Sequence, residues 1–340
     1  MNFPKCSTRW LTLSAIAFYA LLTSGCSVNP VSGNKEFVMM SEQQEVSLGA
    51  GLHKQVLKQY KPYNNAALQA YVNQIGQSLS RHSHRNNIRY YFTVVDDPSI
   101  NAFALPGGYI YITRGLMAYL NSEAELAGVL AHEIGHVTAR HSARQQTRDT
   151  VTNVLAAVIA KQTGNAQVVR SLATASVRGF GRKHELQSDQ LGAEYLARAG
   201  YDPHNMIKVI EVLKAQEDFS KFLARSEGRQ PPTYHGTFAT HPSNDKRLQQ
   251  VVGAANSIKS ARTRPDNRRG YLNRISGLKY NKTKKVTGQV RLITARSGDT
   301  FASLARRSGI PKYAEQKLRL LNGLFPKGEP RPGQLIKVVQ

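Results

Sequence analysis

The segment GVLAHEIGHVTARH, residues 128–141, sets three polar side chains into a mostly apolar pattern of helical spacing. An apolar helix normally faces the protein core, where a polar group is unfavourable unless it has a partner. His132 and His136 are four residues apart, so on a helix they lie on one face, one turn apart. Two imidazoles in this arrangement can bind one zinc ion. The alternative is a pair of hydrogen-bonded core histidines.

Glu133 stands one residue further round the same helix and can approach a water molecule at such an ion without being a ligand. There it can accept the proton of that water as a general base. Leu130 and Val137, among other apolar neighbours, indicate that this helix is buried. Three polar groups in a buried helix would be expensive without a metal, so the context favours a metal site.

A catalytic zinc site takes three protein ligands and keeps one position open, so a third ligand must come from another segment. On a continuing helix His141 points roughly 140° away from His136, which predicts a surface position or contact with a ligand instead of the metal. The stretch HELQSD offers Glu185 as the third ligand, with Asp189 one turn further along the same face. Asp189 can orient a ligand histidine through its second ring nitrogen. The alternative is a solvated acidic helix face.

Four blocks follow one another along the chain: NAFALPGG, HEIGH, ELQSD and THPSNDKR. In this order they resemble the M48 metallopeptidases, the Ste24/HtpX-like gluzincins, over most of residues 35–255. The resemblance implies a zincin-like fold and one zinc ion per chain, with these roles: His132, His136 and Glu185 as zinc ligands, Glu133 as catalytic base and Asp189 as support for a ligand histidine. The sequence lacks the transmembrane hairpins of the membrane-embedded members. It is similar to the secreted, lipoprotein branch that acts in outer-membrane quality control.

The blocks on either side of the histidine motif suggest how a substrate is handled. THPSNDKR contributes His241 and Arg247, either of which can stabilise the oxyanion formed when water attacks a peptide carbonyl. The resemblance also implies that His241 can occupy the fourth zinc position at rest, as a latch that substrate displaces; the alternative is an ordinary loop histidine. NAFALPGG has the pattern of a strand closed by a turn, and an edge strand there can pair with an extended peptide.

The N-terminus predicts secretion. Residues 1–25 combine basic residues, a short apolar run and small residues, which is typical of a signal peptide. LLTSGC, ending at Cys26, resembles a bacterial lipobox in which the cysteine is lipidated, although Thr23 stands where leucine is usual. Ser27 after the cysteine favours the outer membrane by the same resemblance. The alternative is a plain cleaved signal. Residues 146–164 are apolar but short and read as a core helix, a lid or a membrane-surface segment, with core favoured.

The C-terminal region differs in composition. Residues 257–285 are rich in Lys, Arg, Asn and Ser and predict a basic linker. Residues 286–340 show a strand, two amphipathic helices and a final strand, and they resemble a LysM-like module, which implies peptidoglycan as a partner. The whole chain has 46 Lys and Arg against 22 Asp and Glu, a net charge of +24. Such charge attracts anionic polymers or lipids. Secretion argues against nucleic acid as the partner.

These patterns together predict an α+β protein. A mainly helical zincin-like peptidase domain with a small antiparallel sheet spans residues 26–256, and a small βααβ domain follows the linker. The predicted function is zinc-dependent hydrolysis of misfolded or stalled outer-membrane and periplasmic proteins, on a lipoprotein that faces the periplasm. The alternative is a periplasmic chaperone or assembly factor with latent proteolysis, and a third hypothesis is a wall-binding scaffold.

Overall fold

The computed structural model describes residues 26–150, 181–230, 245–258, 263–280 and 288–340. The predicted signal peptide, residues 151–164 of the apolar segment 146–164, and His241 lie outside these residues. Within them, no helix is both long enough and apolar enough to cross a bilayer.

The secondary structure of the described residues is mainly helical, with three small sheets. The strands are β1 (Cys26–Val28), β2 (Lys35–Phe37), β3 (Tyr91–Val95), β4 (Ala102–Leu105), β5 (Tyr109–Thr113), β6 (Val290–Thr294) and β7 (Leu335–Val339). The helices are α1 (Glu42–Gln59), α2 (Ala66–Ser80), α3 (Arg114–Tyr119), α4 (Glu123–Thr138), α5 (Arg182–Arg198), α6 (Asn205–Ser226), α7 (Asp245–Ser257), α8 (Arg268–Ile275), α9 (Phe301–Ala305) and α10 (Ala314–Leu321).

The three-stranded sheet beside the helices is mixed. Its order is β3-β5-β4, with β4 antiparallel and β3 parallel to the central strand β5. The prediction of a small antiparallel sheet is therefore wrong for one of its two pairings. Residue alternation identifies a strand but not the neighbour with which it pairs. The chain turns from β4 into β5 at Pro106–Gly108, where Gly107 has φ 74°. Strand β5 pairs with β4 after this turn and with β3 on its other side, so it is the central strand.

Helix α4 forms the centre of the core, and it is buried over almost its entire length. Ser122 Oγ accepts a hydrogen bond from the backbone N–H of Glu125, which fixes the start of the helix. Two glycines bring α4 and α5 to backbone contact. A Cβ on Gly135 would lie 2.9 Å from the Ser188 carbonyl oxygen, and a Cβ on Gly192 would lie 3.3 Å from the His132 backbone nitrogen. The absence of side chains at these two positions therefore sets the spacing of the two helices.

The C-terminal region shares its core with the preceding part of the chain. Strands β6 and β7 pair antiparallel, and α9 and α10 lie between them in sequence. Buried Val290 and Ile336 belong to the same hydrophobic cluster as Met117 of α3. Lys337 is completely buried, and its Nζ donates hydrogen bonds to the carbonyl oxygens of Ala118 and Leu120, both at 2.7 Å. The amino group of Lys337 satisfies carbonyl groups at the C-terminal end of α3.

Part of the segment predicted as a basic linker, 257–285, is an ordered element of the core. Helix α8 falls within it and buries Tyr271, Leu272 and Ile275. The Tyr271 hydroxyl donates a hydrogen bond to the Met117 carbonyl oxygen at 2.6 Å. A surplus of basic residues indicates a solvated segment on average. Three apolar side chains at helical spacing are nevertheless enough to anchor one short helix.

Candidate metal centre

His132, His136 and Glu185 each direct one ligand atom to a common point inside the protein. The Nε2 atoms of His132 and His136 are 3.1 Å apart. The two carboxylate oxygens of Glu185 lie 3.5 Å from His132 Nε2 and 3.4 Å from His136 Nε2. All three side chains are buried. Among the described residues, this is the group of three His, Cys, Asp or Glu side chains that could hold a metal ion.

The helices explain why these side chains meet. His132 and His136 lie one turn apart on the face of α4 that packs against α5. Glu185 lies in the first turn of α5, and Asp189 lies one turn further along the same helix. Because Gly135 and Gly192 allow close approach, the short Glu185 side chain can reach both rings. The two histidines lie one helical turn apart on α4, and the two carboxylates lie one turn apart on α5, as the helical period predicts.

His132 is oriented by a carboxylate. Its Nδ1 lies 2.9 Å from Asp189 Oδ1, which leaves Nε2 to face the ligand cluster. Burial on its own lowers the pKa of His132, but hydrogen bonds to Asp189 and Glu185 outweigh burial and raise the pKa to about 9. Burial would raise the pKa of Asp189, and the charge of Arg247 reverses this and lowers it. Asp189 is therefore held as a carboxylate that fixes the ring of His132.

Arg247 of α7 holds both carboxylates of this site. Its Nε and Nη2 donate hydrogen bonds to the two oxygens of Asp189 at 2.5 and 2.7 Å. Its Nη1 lies 3.2 Å from Glu185 Oε2. The sequence prediction gave Arg247 a role at the oxyanion, and that role stays a prediction. The contact that the structure shows is a buried guanidinium that fixes Asp189 and Glu185 relative to each other.

His136 is oriented by a neutral ring. Its Nδ1 lies 2.9 Å from His141 Nδ1, and His141 Nε2 lies 3.0 Å from Gln187 Oε1. A single assignment satisfies both contacts: His136 donates to His141, and His141 donates to Gln187. In this assignment Nε2 of His136 carries no hydrogen and faces the cluster, as a metal ligand requires.

A turn after α4 brings His141 to this place. The helix ends at Thr138, and Arg140 adopts the left-handed conformation with φ 54°. Helical backbone resumes at residue 141. The direction predicted for the His141 side chain assumed an uninterrupted helix and is wrong. The structure shows the contact between His141 and a candidate ligand that was the other expectation. Non-glycine residues seldom adopt positive φ, and no local residue signals the turn.

His184, which the sequence analysis does not single out, also lies next to the cluster. Its ring stacks on that of His141, with centroids 4.2 Å apart and planes inclined by 14°. Burial lowers the pKa of His141 to about 3 and that of His184 to about 4, and nearby positive groups add to both effects. Both rings are therefore neutral near pH 7. The signal in the sequence is that His184 immediately precedes the candidate ligand Glu185.

Glu133 lies beside a small cavity at the cluster. The side chain is buried, and it lines the cavity together with His132, Arg247 and apolar residues such as Val209 and Leu213 of α6. The cavity has a volume of about 20 Å³. Ala102 at the start of β4 is also in its wall, so this strand, at one edge of its sheet, passes close to the site. The predicted general base and the predicted edge strand therefore border the same space.

A second buried ionic group supports the end of α4. Glu45 of α1 accepts hydrogen bonds from Arg85 Nη1 and Nη2 at 2.8 and 3.0 Å and from Arg140 Nε at 2.7 Å. Arg85 Nη1 also donates to the Val137 carbonyl oxygen in the last turn of α4, at 3.1 Å. Sequence reasoning missed this group because its members are far apart in the chain and form no motif. It holds the turn at Arg140 that places His141.

Comparisons with known proteins identify relatives of this chain. A family model described as peptidase family M48 matches residues 66–255. The beta-barrel assembly-enhancing protease of Escherichia coli (strain K12) is 30% identical over 242 residues, which cover 68% of this chain and 47% of that protein. The protein of the same name from Yersinia pestis is 31% identical over 242 residues, or 68% and 48% of the two chains.

A second kind of relative is mitochondrial. The mitochondrial metalloendopeptidase OMA1 of Arabidopsis thaliana is 34% identical over 180 residues, which cover 53% of this chain and 34% of that protein. The chain spans about half the length of the bacterial relatives it matches.

Proposed function

The chain belongs to peptidase family M48, and we propose on this premise that it is a zinc-dependent endopeptidase of the bacterial envelope. The observation that carries the proposal is the convergence of His132, His136 and Glu185 inside the helical core. We propose as its substrates misfolded or stalled outer-membrane and periplasmic polypeptides.

The donor set fits zinc in both kind and spacing. Two imidazole nitrogens and one carboxylate are ligands that zinc accepts in catalytic sites. Bonds of roughly 2.0–2.1 Å in a tetrahedron place neighbouring ligand atoms about 3.3 Å apart. The three separations here are 3.1, 3.4 and 3.5 Å. The separation of the two nitrogens is close to one tetrahedral edge, and Glu185 places a different oxygen near each nitrogen, so the three side chains lie within reach of one shared ion.

Residues of the chain itself supply proton transfer and hold the ligand rings in the proposed hydrolysis. When bound, zinc supplies a Lewis acid that polarises the peptide carbonyl and makes water more acidic. Glu133 accepts the proton of the attacking water and can return it to the leaving nitrogen. Asp189 and His141 keep the two ligand rings in the orientation that points Nε2 inward. The buried surroundings exclude bulk water, which strengthens each of these electrostatic contacts.

The relatives' names and the N-terminal sequence support the proposed location and substrates. A relative is named for enhancing β-barrel assembly, which suits an enzyme that acts on outer-membrane proteins. The lipobox-like segment ending at Cys26 supports a lipid anchor in the outer membrane, facing the periplasm. The order β6-α9-α10-β7 supports a LysM-like module, for which peptidoglycan is the proposed partner.

An assembly function without obligatory proteolysis is the second candidate. It is favoured by the same printed name, which joins assembly and protease in one protein. A polypeptide-binding chain with latent activity would retain substrate contacts when Glu133 is replaced. An enzyme would lose its effect on the same substrate.

The test replaces Glu133 by Gln, which preserves shape but cannot accept a proton. We expect hydrolysis of unfolded casein to fall by about a hundredfold to ten-thousandfold, with zinc content unchanged near one ion per chain. Exposed Glu211 of α6 provides the matched control, Glu211→Gln, which should cleave like the parent. Elemental analysis of His136→Ala should show reduced zinc. Equal cleavage by the Glu133→Gln variant would reject the proposed base.

A further inference from the structure

A second, larger cavity lies where the C-terminal region meets the helical core. Its volume is about 470 Å³, which is within the usual range for a ligand pocket. Its walls come from the segment before β4, from α3 and α6, and from the chain just before and within α10. Ile100, Phe219, Leu223 and Ile310 give it an apolar lining.

The contacts around this junction cavity fix its walls. Phe219 of α6 packs edge-on against Phe325, with ring centroids 5.6 Å apart, and Phe222 packs in the same way against Tyr313 at 5.7 Å. The buried amino group of Lys337 links β7 to the end of α3 by hydrogen bonds. The shape of the cavity is therefore set before any ligand enters, which lowers the entropy lost on binding.

The polar groups in the walls select for a ligand that accepts hydrogen bonds and carries negative charge. Gln216 is nine-tenths buried, and among the described residues its Nε2 has no hydrogen-bond partner. Lys279 and Lys317 also line the cavity, whereas the described lining residues include no Asp or Glu. Burial lowers the pKa of Lys317, so a bound anion would restore favourable surroundings for its charge.

One face of α6 connects this cavity to the metal centre. Val209 and Leu213 line the small cavity beside Glu133, and Gln216, Ser220 and Leu223 line the junction cavity. These positions are three or four residues apart, so they form a single stripe along the helix. From Leu213 to Ser220 the stripe covers about 10 Å at 1.5 Å per residue. An extended peptide spans this with about three residues at 3.3 Å each.

We propose that the junction cavity binds a carboxylate and an adjacent apolar side chain of the polypeptide substrate, about three residues from the bond that is cut. The inference rests on the proposed peptidase function and adds a substrate class to it. The apolar side chain packs among Ile100, Phe219 and Leu223, and the carboxylate accepts hydrogen bonds from Gln216 and Lys317. The C-terminal region thereby completes the substrate cleft.

The first experiment compares three fluorescein-labelled eight-residue peptides on the full chain carrying Glu133→Gln, by fluorescence anisotropy. One ends in phenylalanine with a free carboxylate, the second is its amide, and the third is an amide with glutamate after an internal phenylalanine. We expect the free acid to bind at least about tenfold more tightly than the plain amide. Tight binding of the third peptide assigns the carboxylate to a side chain, and tight binding of the first alone assigns it to a C-terminus. Equal affinity for all three overturns the proposal.

The second experiment changes the protein. Lys317→Met should reduce affinity for the tighter acidic peptide to that of the amide. Lys327→Met, a like change at an exposed lysine outside the cavity wall, should leave it unchanged. Thermal unfolding of both variants checks that they are folded, and an unaltered affinity in folded Lys317→Met would contradict the proposal. Peptide binding is measured without hydrolysis, so the two proposals fail separately. Absence of casein hydrolysis by the parent enzyme would refute the peptidase function alone. Equal binding of the three peptides would refute the junction site alone.

Discussion

On one side of the metal cluster His132 is hydrogen-bonded to a carboxylate, and on the other side His136 is hydrogen-bonded to a neutral imidazole. The two contacts have the same length, 2.9 Å. Asp189 itself accepts hydrogen bonds from Arg247, whereas His141 donates its single ring N–H to the uncharged Gln187. In both cases the hydrogen-bond partner keeps Nε2 of the histidine directed inward. A charged group does this for His132, and a neutral group does it for His136.

The difference shows how the site controls its total charge. Asp189 makes the ring of His132 a stronger electron donor to a metal, but it adds a second negative charge beside Glu185. Arg247 offsets that charge through contacts to both carboxylates. A neutral partner for His136 fixes its ring without adding another charge. Stability and zinc affinity should therefore be more sensitive to substitution of Asp189 than to substitution of His141.

The largest effect is expected for Asp189→Asn. The variant leaves the Arg247 guanidinium buried without its main partner, and breaking a buried ion pair in this way lowers the free energy of unfolding by about 3–5 kcal/mol. Zinc affinity should fall by about tenfold to a hundredfold. Urea denaturation and competition with a zinc chelator measure the two changes.

A double variant separates the lost contact from the unpaired charge. Asp189→Asn combined with Arg247→Met removes the stranded guanidinium, and it should recover part of the stability without recovering zinc affinity. A double variant whose two destabilisations simply add would contradict the explanation, because residues in contact should show coupling.

The next prediction concerns how the free energy of unfolding of the metal-depleted protein depends on pH. Burial lowers the pKa of His141 to about 3 and of His184 to about 4, below their ordinary value of 6.5. The unfolded chain therefore binds protons more readily, and the contribution of these rings is complete above pH 6.5 and declines as the pH falls toward 4. Each of the two rings should account for a loss of about 2–3 kcal/mol by pH 4.5.

His132 should behave in the opposite sense. Its pKa is raised to about 9, so its contribution is complete below pH 6.5 and declines as the pH rises through 9. Urea unfolding from pH 4.5 to 9.5, with chelator present, should give a maximum near neutrality. Replacing His184 by Phe should flatten the acid side alone, and an unchanged acid side would show that other groups cause it.

The smallest effect is expected on the neutral side, for His141→Phe. Phenylalanine preserves the stacking on His184 but cannot accept the hydrogen bond from His136. Zinc affinity should fall by about tenfold, the lower end of the range for residues that orient a ligand. The same chelator competition applies. A loss equal to that of Asp189→Asn would remove the distinction between the two sides.

The parts of the site that the sequence predicted are those set by helical spacing. His132, Glu133 and His136 share one turn of α4, and Glu185 and Asp189 share one turn of α5. The 3.6-residue period determines which of these side chains lie together, whatever surrounds the helices. The mainly helical part of the predicted α+β class followed from the same periodicity.

The parts that sequence reasoning missed depend on contacts between distant segments. The position of His141 depends on the left-handed turn at Arg140, which is held by Glu45, 95 residues away. The parallel pairing of β3 with β5 depends on which sheet edge is available. Neither follows from a local pattern, because the stabilising partner lies elsewhere in the chain.

The hydrogen bonds from Lys337 also impose an order of events on folding. They join residues 219 and 217 positions apart in sequence, to Ala118 and Leu120 respectively. Closing a loop of this length has a large entropic cost, so such contacts form after local helices and turns. A newly folding chain would therefore assemble the helix pair that carries the metal ligands first. The proposed substrate cleft would be complete only when the C-terminal region docks, so the proposed peptide binding would depend on the last long-range contact to form.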